Sequence, residues 1–311
     1  MQTADVLILG GGPAGLTAAI YAERAGLDAL CLEQGIYGGQ ISTSNEIDNY
    51  PGFESISGAE LGEKLHVHAE HLGCTFAQDM VSSVAHEGNG TFSVVGMMDT
   101  YAAKALIVAT GATPKKAGFT GEEAFTGRGV SYCATCDAMF YRDRLTYVVG
   151  GGNTACEEAD FLTRFASDVI MVVRKDHLRA QQKLVEKVEK NPRITIMYNT
   201  KVAEVAGDGR LSSITLENTV TGEQSTQTHE PGTFGVFVFI GHTPKSELVQ
   251  DLVEVDREGA IIAAEDMSTK TPGLFVAGDV RKTPLRQVIT ACGDGAIAAT
   301  SAALYLGSMV I

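Results

Sequence analysis

At 311 residues the chain is long enough for two domains of ordinary size and too long for one core. Hydrophobic residues at 44% and charged residues at 20% exclude a disordered or fibrous protein, and 24 basic against 38 acidic residues, a formal charge of −14, oppose any sequence-independent hold on nucleic acid. No apolar run reaches the roughly 18 residues of a membrane span, and Met1-Gln2-Thr3-Ala4-Asp5 lacks the basic start of a secretory signal, so a cytoplasmic chain without membrane contact is expected.

Val6-Leu7-Ile8-Leu9 is short, apolar and closed by Gly10-Gly11-Gly12, the pattern of a fully buried strand in a parallel sheet. The alanine-rich stretch Leu16 to Ala25 predicts a helix stopped by Gly26, and Ala29-Leu30-Cys31-Leu32 a second strand ending at Glu33. This βαβ unit returns 140 positions later as Tyr147-Val148-Val149, Gly150-Gly151-Gly152, a helix through Phe165 and a strand from Val169 to Val173. Gly10 maps to Gly150, Gly12 to Gly152, Gly15 to Ala155 and Glu33 to Val173. Lys104 to Ala109 reads as a strand running into the turn-rich Thr110-Gly111-Ala112-Thr113-Pro114, a crossing between lobes. Val236 to Ile240, followed by Gly241-His242-Thr243-Pro244, reads as the return crossing. Leu274-Phe275-Val276-Ala277 is a last strand, and an alanine-rich helix is expected from about Asp294 to Leu304. The predicted class is α/β: two Rossmann-like dinucleotide-binding domains, the second (114–243) inserted into a discontinuous first (1–113 and 244–311).

Gly10-x-Gly12-x-x-Gly15 stands after a strand and before a helix, where the first glycine turns the chain, the second admits a pyrophosphate and the third lets helix and strand pack closely. Glu33, 18 residues beyond Gly15, is placed to accept hydrogen bonds from a ribose diol, which predicts an adenosine diphosphate with a free 2′-hydroxyl, as in FAD or NAD. The second fingerprint, Gly150-x-Gly152-x-x-Ala155, has Val173 where Glu33 would stand, followed by Arg174, Lys175 and Arg179. Those cations suit a 2′-phosphate, and hence NADP, or form a solvated basic patch.

The six cysteines are scattered except for Cys133-Ala134-Thr135-Cys136-Asp137, which has the spacing of a redox dithiol. A helix starting there would lower a thiol pKa, and Asp137 would be at hand to move protons. A zinc site lacks further ligands and a structural disulfide suits a reducing compartment poorly; Cys31, Cys74, Cys156 and Cys292 read as small core or surface residues.

Two dinucleotide units with a Cys-x-x-Cys just before the second resemble the low-molecular-weight, bacterial-type thioredoxin reductases along nearly the whole chain. The stretches that carry the resemblance are Gly10-Gly11-Gly12-Pro13-Ala14-Gly15, Gly38-Gly39-Gln40, Asp48-Asn49-Tyr50-Pro51-Gly52, Ala109-Thr110-Gly111-Ala112, Cys133 to Asp137, Gly278-Asp279-Val280-Arg281 and Leu285-Arg286-Gln287-Val288. The resemblance implies a homodimeric FAD enzyme with NADPH as electron donor, whose NADPH domain rotates against its FAD domain. It implies that Cys136 lies against the flavin, Cys133 attacks the thioredoxin disulfide and Asp137 is the acid/base. It places FAD on Gly10, Gly12, Pro13, Ala14, Gly15, Glu33, Gly39, Gln40, Asn49, Gly111, Gly278, Asp279, Arg286, Gln287 and Ala296, with Asp279 on the ribityl chain. NADPH falls to Gly150, Gly152, Asn153, Thr154, Ala155, Arg174, Lys175 and Arg179.

The sequence departs from the family at one place. The usual NADPH signature is His-Arg-Arg-x-x-x-Arg, and here it reads Val173-Arg174-Lys175-x-x-x-Arg179. Loss of a ring and of one bidentate fork weakens a 2′-phosphate site by on the order of 1–3 kcal/mol where the contacts are buried, which leaves NADH or ferredoxin as alternative donors. A non-enzymatic flavin and thiol sensor would need a signalling segment. A ferredoxin/flavodoxin-type NADP reductase needs no Cys-x-x-Cys, and the flavoprotein that reduces a peroxiredoxin carries an additional N-terminal dithiol region.

Overall fold

The computed structural model describes residues 1–44 and 46–307, which form two compact units: Met1–Thr113 with Thr243 onward, and Pro114–His242. Thr243 thus falls in the first unit, one residue earlier than the expected return.

In the first unit the strands are β1 (Gln2–Leu9), β2 (Ala29–Glu33), β3 (Thr75–Gln78), β4 (Val81–His86), β5 (Phe92–Gly96) and β6 (Thr100–Val108), joined by helices α1 (Pro13–Arg24) and α2 (Gly58–Leu72), and the short β7 (Ala112–Pro114) spans the boundary to the second unit. The sheet runs β3-β2-β1-β6, all parallel. The start of β6 also pairs antiparallel with the β4–β5 hairpin, and its end takes a returning parallel strand, Leu274–Val276. Burial explains the uninterrupted apolar run in β1. Val6 and Ile8 face the helices while Leu7 and Leu9 face Phe92, Val94, Tyr101 and Ile261 on the other side, so both pleat faces are covered. Each of the four is at most 1% exposed, which contributes about 1.5–3 kcal/mol per side chain relative to exposure.

The second unit repeats this plan. Its parallel sheet contains β8 (Val130–Ser131), β9 (Leu145–Val149), β10 (Asp168–Val172), β11 (Ile194–Met197) and β15 (Phe234–Val238), in the order β11-β10-β9-β15-β8. Helices α3 (Ala134–Asp137), α4 (Asn153–Leu162) and α5 (Gln182–Glu189) connect these strands, and β12 (Thr200–Ala206), β13 (Ser213–Asn218) and β14 (Gln224–Thr228) form the antiparallel meander that corresponds to β4 to β6. The chain returns through β16 (His242–Pro244) to β17 (Leu274–Val276) and α6 (Val288–Tyr305).

Two helices differ from expectation. α4 ends at Leu162 and continues as turns to Phe165, where Thr163 Oγ1 bonds back to the Asp160 carbonyl. α6 begins at Val288, six residues before Asp294, because Gln287 and Thr290 form a reciprocal capping box. At 18 residues with mean hydropathy 1.2, α6 also has the length and composition of a membrane span, which the sequence reading did not expect. Its packing is that of a core helix: Ala298, Ala299, Ala302 and Ala303 are fully buried, and Gly295 lies so close to α1 that a methyl group there would sit 2.1 Å from the Ala14 carbonyl oxygen.

Candidate active site

In the first unit the β1–α1 turn is shaped by its glycines. Gly10 has φ +109°, and a Cβ on it would lie 2.4 Å from the Ala109 carbonyl oxygen; a Cβ on Gly15 would lie 1.8 Å from the Gly10 oxygen. Gly12, the N-cap of α1, has nothing within 4 Å of a would-be Cβ. The two outer glycines are therefore required by packing, and the middle one leaves open space over the first free α1 amides, those of Ala14 and Gly15, since Pro13 at the first helical position carries no N–H. Gly39, at φ +59°, packs its would-be Cβ 3.1 Å from the Gly12 Cα, and so borders the same space. Glu33 ends β2 with Oε2 accepting from the Gly11 amide at 2.6 Å and Oε1 from the Gly35 amide at 2.7 Å. Each oxygen keeps a lone pair for a further donor.

Gln40 Nε2 donates to the Ala112 carbonyl, beside Gly111 at φ +74°, and Asn49 Nδ2 donates to Gln287 Oε1 at 3.0 Å. Gly278 opens a 3₁₀ turn that packs on Ala14 and carries Asp279. Burial pushes the Asp279 carboxyl up to about 6, with the Arg286 guanidinium pulling it down and Asp294 pushing it up. Arg286 Nε is buried without a hydrogen-bond partner among the described residues. Ala296 lies half-buried on α6, its carbonyl accepting from Thr300 Oγ1. An open glycine turn at a helix start, a carboxylate at the end of β2, a half-buried Asp279 and an orphaned guanidinium donor fit a dinucleotide with a polar chain and a flat polar ring.

Because the folded chain holds the Asp279 proton up to about pH 6 and the unfolded chain releases it near 3.8, this carboxyl costs stability increasingly between those values and fully above them. Asp279→Asn is expected to stabilise the ligand-free chain by about 2 kcal/mol at pH 8 and by little at pH 4, as read by denaturant unfolding at the two pH values.

The second unit builds the same turn. Gly150 has φ +146° with a would-be Cβ 2.3 Å from the Phe239 oxygen, and Gly152, the N-cap of α4, is open. Ala155 is fully buried, so its methyl is accommodated where Gly15 stands in the first unit. Val173 is 3% exposed and lies under Gly151, where Glu33 lies under Gly11, but as core packing. Arg174, Lys175 and Arg179 are exposed. Their segment is pinned to the turn: the Arg179 amide donates to Gly151 O at 2.7 Å and the Gln181 amide to Asn153 Oδ1 at 2.8 Å, while Thr219 Oγ1 donates to the Arg174 carbonyl and the Asn199 amide to the Lys175 carbonyl, both at 3.0 Å. Thr154, the second residue of α4, is exposed beside Asn153.

Cys133 and Cys136 form a disulfide with Cα atoms 5.3 Å apart. Cys133 is the N-cap of α3, and its sulfur accepts from the Cys136 amide at 3.2 Å and lies 3.3 Å from Thr135 Oγ1. Cys136 is exposed and Cys133 half-buried, while the Cys136 amide and the Thr135 hydroxyl lie against Cys133 Sγ. Burial raises the Asp137 carboxyl above the usual aspartate range, against a hydrogen bond from Ser131 that lowers it. Ser131, 4% exposed, also accepts from the Cys133 amide at 3.1 Å. The remaining cysteines are buried, and burial pushes the thiols of all four upward, away from the reactive thiolate form.

The sequence reading overlooked Ser131 and Asp294. Asp294 is the only charged residue of α6, and this was the available signal.

The chain matches the pyridine nucleotide-disulphide oxidoreductase family over residues 4–295. It is 45% identical over 306 residues to a thioredoxin reductase of Peptoclostridium acidaminophilum (97% of this chain, 96% of the relative), and 45% identical over 303 residues to that of Bacillus subtilis (97% and 94%). The crystal structure of thioredoxin reductase from Streptococcus pyogenes is similar at 42% identity and a TM-score of 0.92, covering 99% of both chains. With two glycine-turn units, a Cys-x-x-Cys disulfide and this degree of identity over almost its full length, the chain belongs to the pyridine nucleotide-disulphide oxidoreductases and, within them, to the thioredoxin reductases.

Proposed function

We propose that the chain reduces thioredoxin through Cys133 and Cys136, with FAD held by the first unit and NADPH as electron donor held by the second. The observation that carries this reading is the Cys133–Cys136 disulfide at the start of α3, with the Cys136 amide donating to Cys133 Sγ and, beside it, Asp137, whose carboxyl burial raises above the ordinary aspartate range. FAD would rest its pyrophosphate on Gly10, Gly12, Pro13, Ala14 and Gly15, its ribose on Glu33, and its ribityl chain and ring on Asp279, Arg286, Gln287 and Ala296, with Gly39, Gln40, Asn49, Gly111 and Gly278 shaping the walls. When bound, it supplies the two electrons that open the disulfide, drawn from NADPH.

With the pair reduced, the Cys133 thiolate attacks one sulfur of the thioredoxin disulfide, forming a mixed disulfide and expelling the other sulfur as a thiolate. Asp137, protonated to a higher pH than an ordinary aspartate, gives that thiolate its proton. Cys136 then attacks Cys133 Sγ, reforms the internal disulfide and releases the second thioredoxin sulfur, so that two electrons leave the chain for each disulfide reduced.

The donor assignment rests on Arg174, Lys175 and Arg179, pinned beside an open Gly152 turn. Arg174→Ala with Lys175→Ala is expected to raise KM for NADPH about tenfold and leave that for NADH nearly unchanged. Anaerobic titration of the flavin with each nucleotide tests the reading directly. Bleaching at low NADPH supports it; a flavin that dithionite reduces but neither nucleotide bleaches overturns NADPH as donor and turns the search to a protein donor such as ferredoxin. Operation as a homodimer and in the cytoplasm belongs to the same proposal.

A further inference from the structure

Asp294 is 6% exposed, on a helix whose other residues are almost all apolar. Both oxygens of its carboxylate are engaged: Oδ2 accepts from Arg281 Nε at 2.6 Å and from the Gly278 amide at 3.1 Å, and Oδ1 accepts from an Arg281 terminal nitrogen at 2.7 Å. Gly278 and Arg281 bracket Asp279. The same short segment is tied on its far side, where the Ile261 amide donates to the Val280 carbonyl at 3.0 Å and the Lys282 amide to Ile261 O at 2.8 Å.

A buried bidentate pair is a costly way to gain stability, since an apolar pair of the same volume often serves as well. Its geometric product here is specific: one carboxylate holds both ends of the turn that presents Asp279. We propose that Asp294, with Arg281, is a positioning residue for flavin binding, clamping the Gly278–Arg281 turn so that Asp279 is held in place toward the ribityl chain. This rests on the reading above that Asp279 faces that chain.

Asp294 acts on Asp279 in a second way, through charge. The charged groups that act on Asp279 are Asp294, which pushes its carboxyl up, and Arg286, which pulls it down; Asp294 is itself paired with Arg281. Removing the Asp294 charge therefore lowers the pH at which Asp279 takes up its proton. A residue that merely supported the fold would weaken flavin binding equally at every pH.

The test is FAD release from the holoenzyme, read as the rise of flavin fluorescence on dilution between pH 5 and 8, for the wild type, Asp294→Asn, Arg281→Gln and Arg281→Lys. At pH 8 Asp294→Asn is expected to raise the FAD Kd about tenfold, the scale of a lost charge-assisted hydrogen bond. Its acid midpoint of flavin retention is expected to move to lower pH. Arg281→Gln, at a more exposed side chain, gives a second reading if Asp294→Asn does not fold, and Arg281→Lys should restore part of the loss. A Kd within twofold of wild type in Asp294→Asn and Arg281→Gln, or weaker binding with an unmoved midpoint, would overturn the clamp while leaving the flavin reading intact. A wild-type chain that binds no FAD would overturn the flavin reading and the clamp's role together.

Discussion

Cys133→Ser is expected to lower thioredoxin turnover by on the order of a thousandfold or more while leaving the flavin reducible by NADPH at its normal rate. The serine hydroxyl is not ionised at neutral pH, so the hydrogen bonds that the Cys136 amide and Thr135 direct at Cys133 Sγ have no thiolate to stabilise. Cys136→Ser separates the two roles. It keeps the attacking sulfur and removes the resolving one, so the variant should accumulate a mixed disulfide with thioredoxin through Cys133, visible as one added thioredoxin mass that dithiothreitol removes. Normal turnover by Cys133→Ser, or a mixed disulfide trapped on Cys136 instead, would reverse or remove the assigned order of attack. Asp137→Asn keeps the size of the side chain and loses its proton, and a fall of about a hundredfold with loss of the associated limb of the pH profile is expected.

Substitutions in the first glycine turn should divide cleanly between folding and binding. Gly12 sits in extended backbone (φ −80°, ψ −176°) with no atom within 4 Å of a would-be Cβ. Gly12→Val should therefore cost less than about 1 kcal/mol of stability, mainly the poorer helix cap, yet fill the space a pyrophosphate needs and raise the FAD Kd by about a hundredfold or more. Gly15→Ala places its methyl 1.8 Å from the Gly10 carbonyl oxygen, against backbone that carries β1 and α1. It should cost about 3 kcal/mol or more, and lose flavin because the unit loosens. Denaturant unfolding of the flavin-free chains and flavin titration together read both effects. The parallel variant Gly152→Val should weaken NADPH and spare FAD; loss of FAD there would contradict the division of labour between the units.

The duplicated βαβ units were legible because they rest on local rules. An apolar run buried on both faces, a glycine turn and an alanine-rich helix can be read within about thirty residues, and they return at Tyr147 with one register. The Cys133/Cys136 pair was legible for the same reason. The start of α6 was not, because Gln287 and Thr290 do not match the usual Ser/Thr-x-x-Glu cap and only their side-chain geometry reveals the reciprocal bonds. The apolarity of α6 likewise has no meaning until its alanines are seen packed on α1.

By itself, then, the sequence determined what depends on neighbours along the chain: strand and helix identity, the two glycine turns, the Cys-x-x-Cys spacing and the replacement of a carboxylate by Val173 in the second unit. Tertiary structure alone decided what depends on residues far apart in sequence. It docked the Arg174–Gln181 segment on the second turn through Gly151 and Asn153, and brought Asp294 to both flanks of Asp279. Those pairings follow from the way the sheets and helices stack, and burial then sets the price in charge, raising the carboxyls of Asp137 and Asp279 by withdrawing them from water.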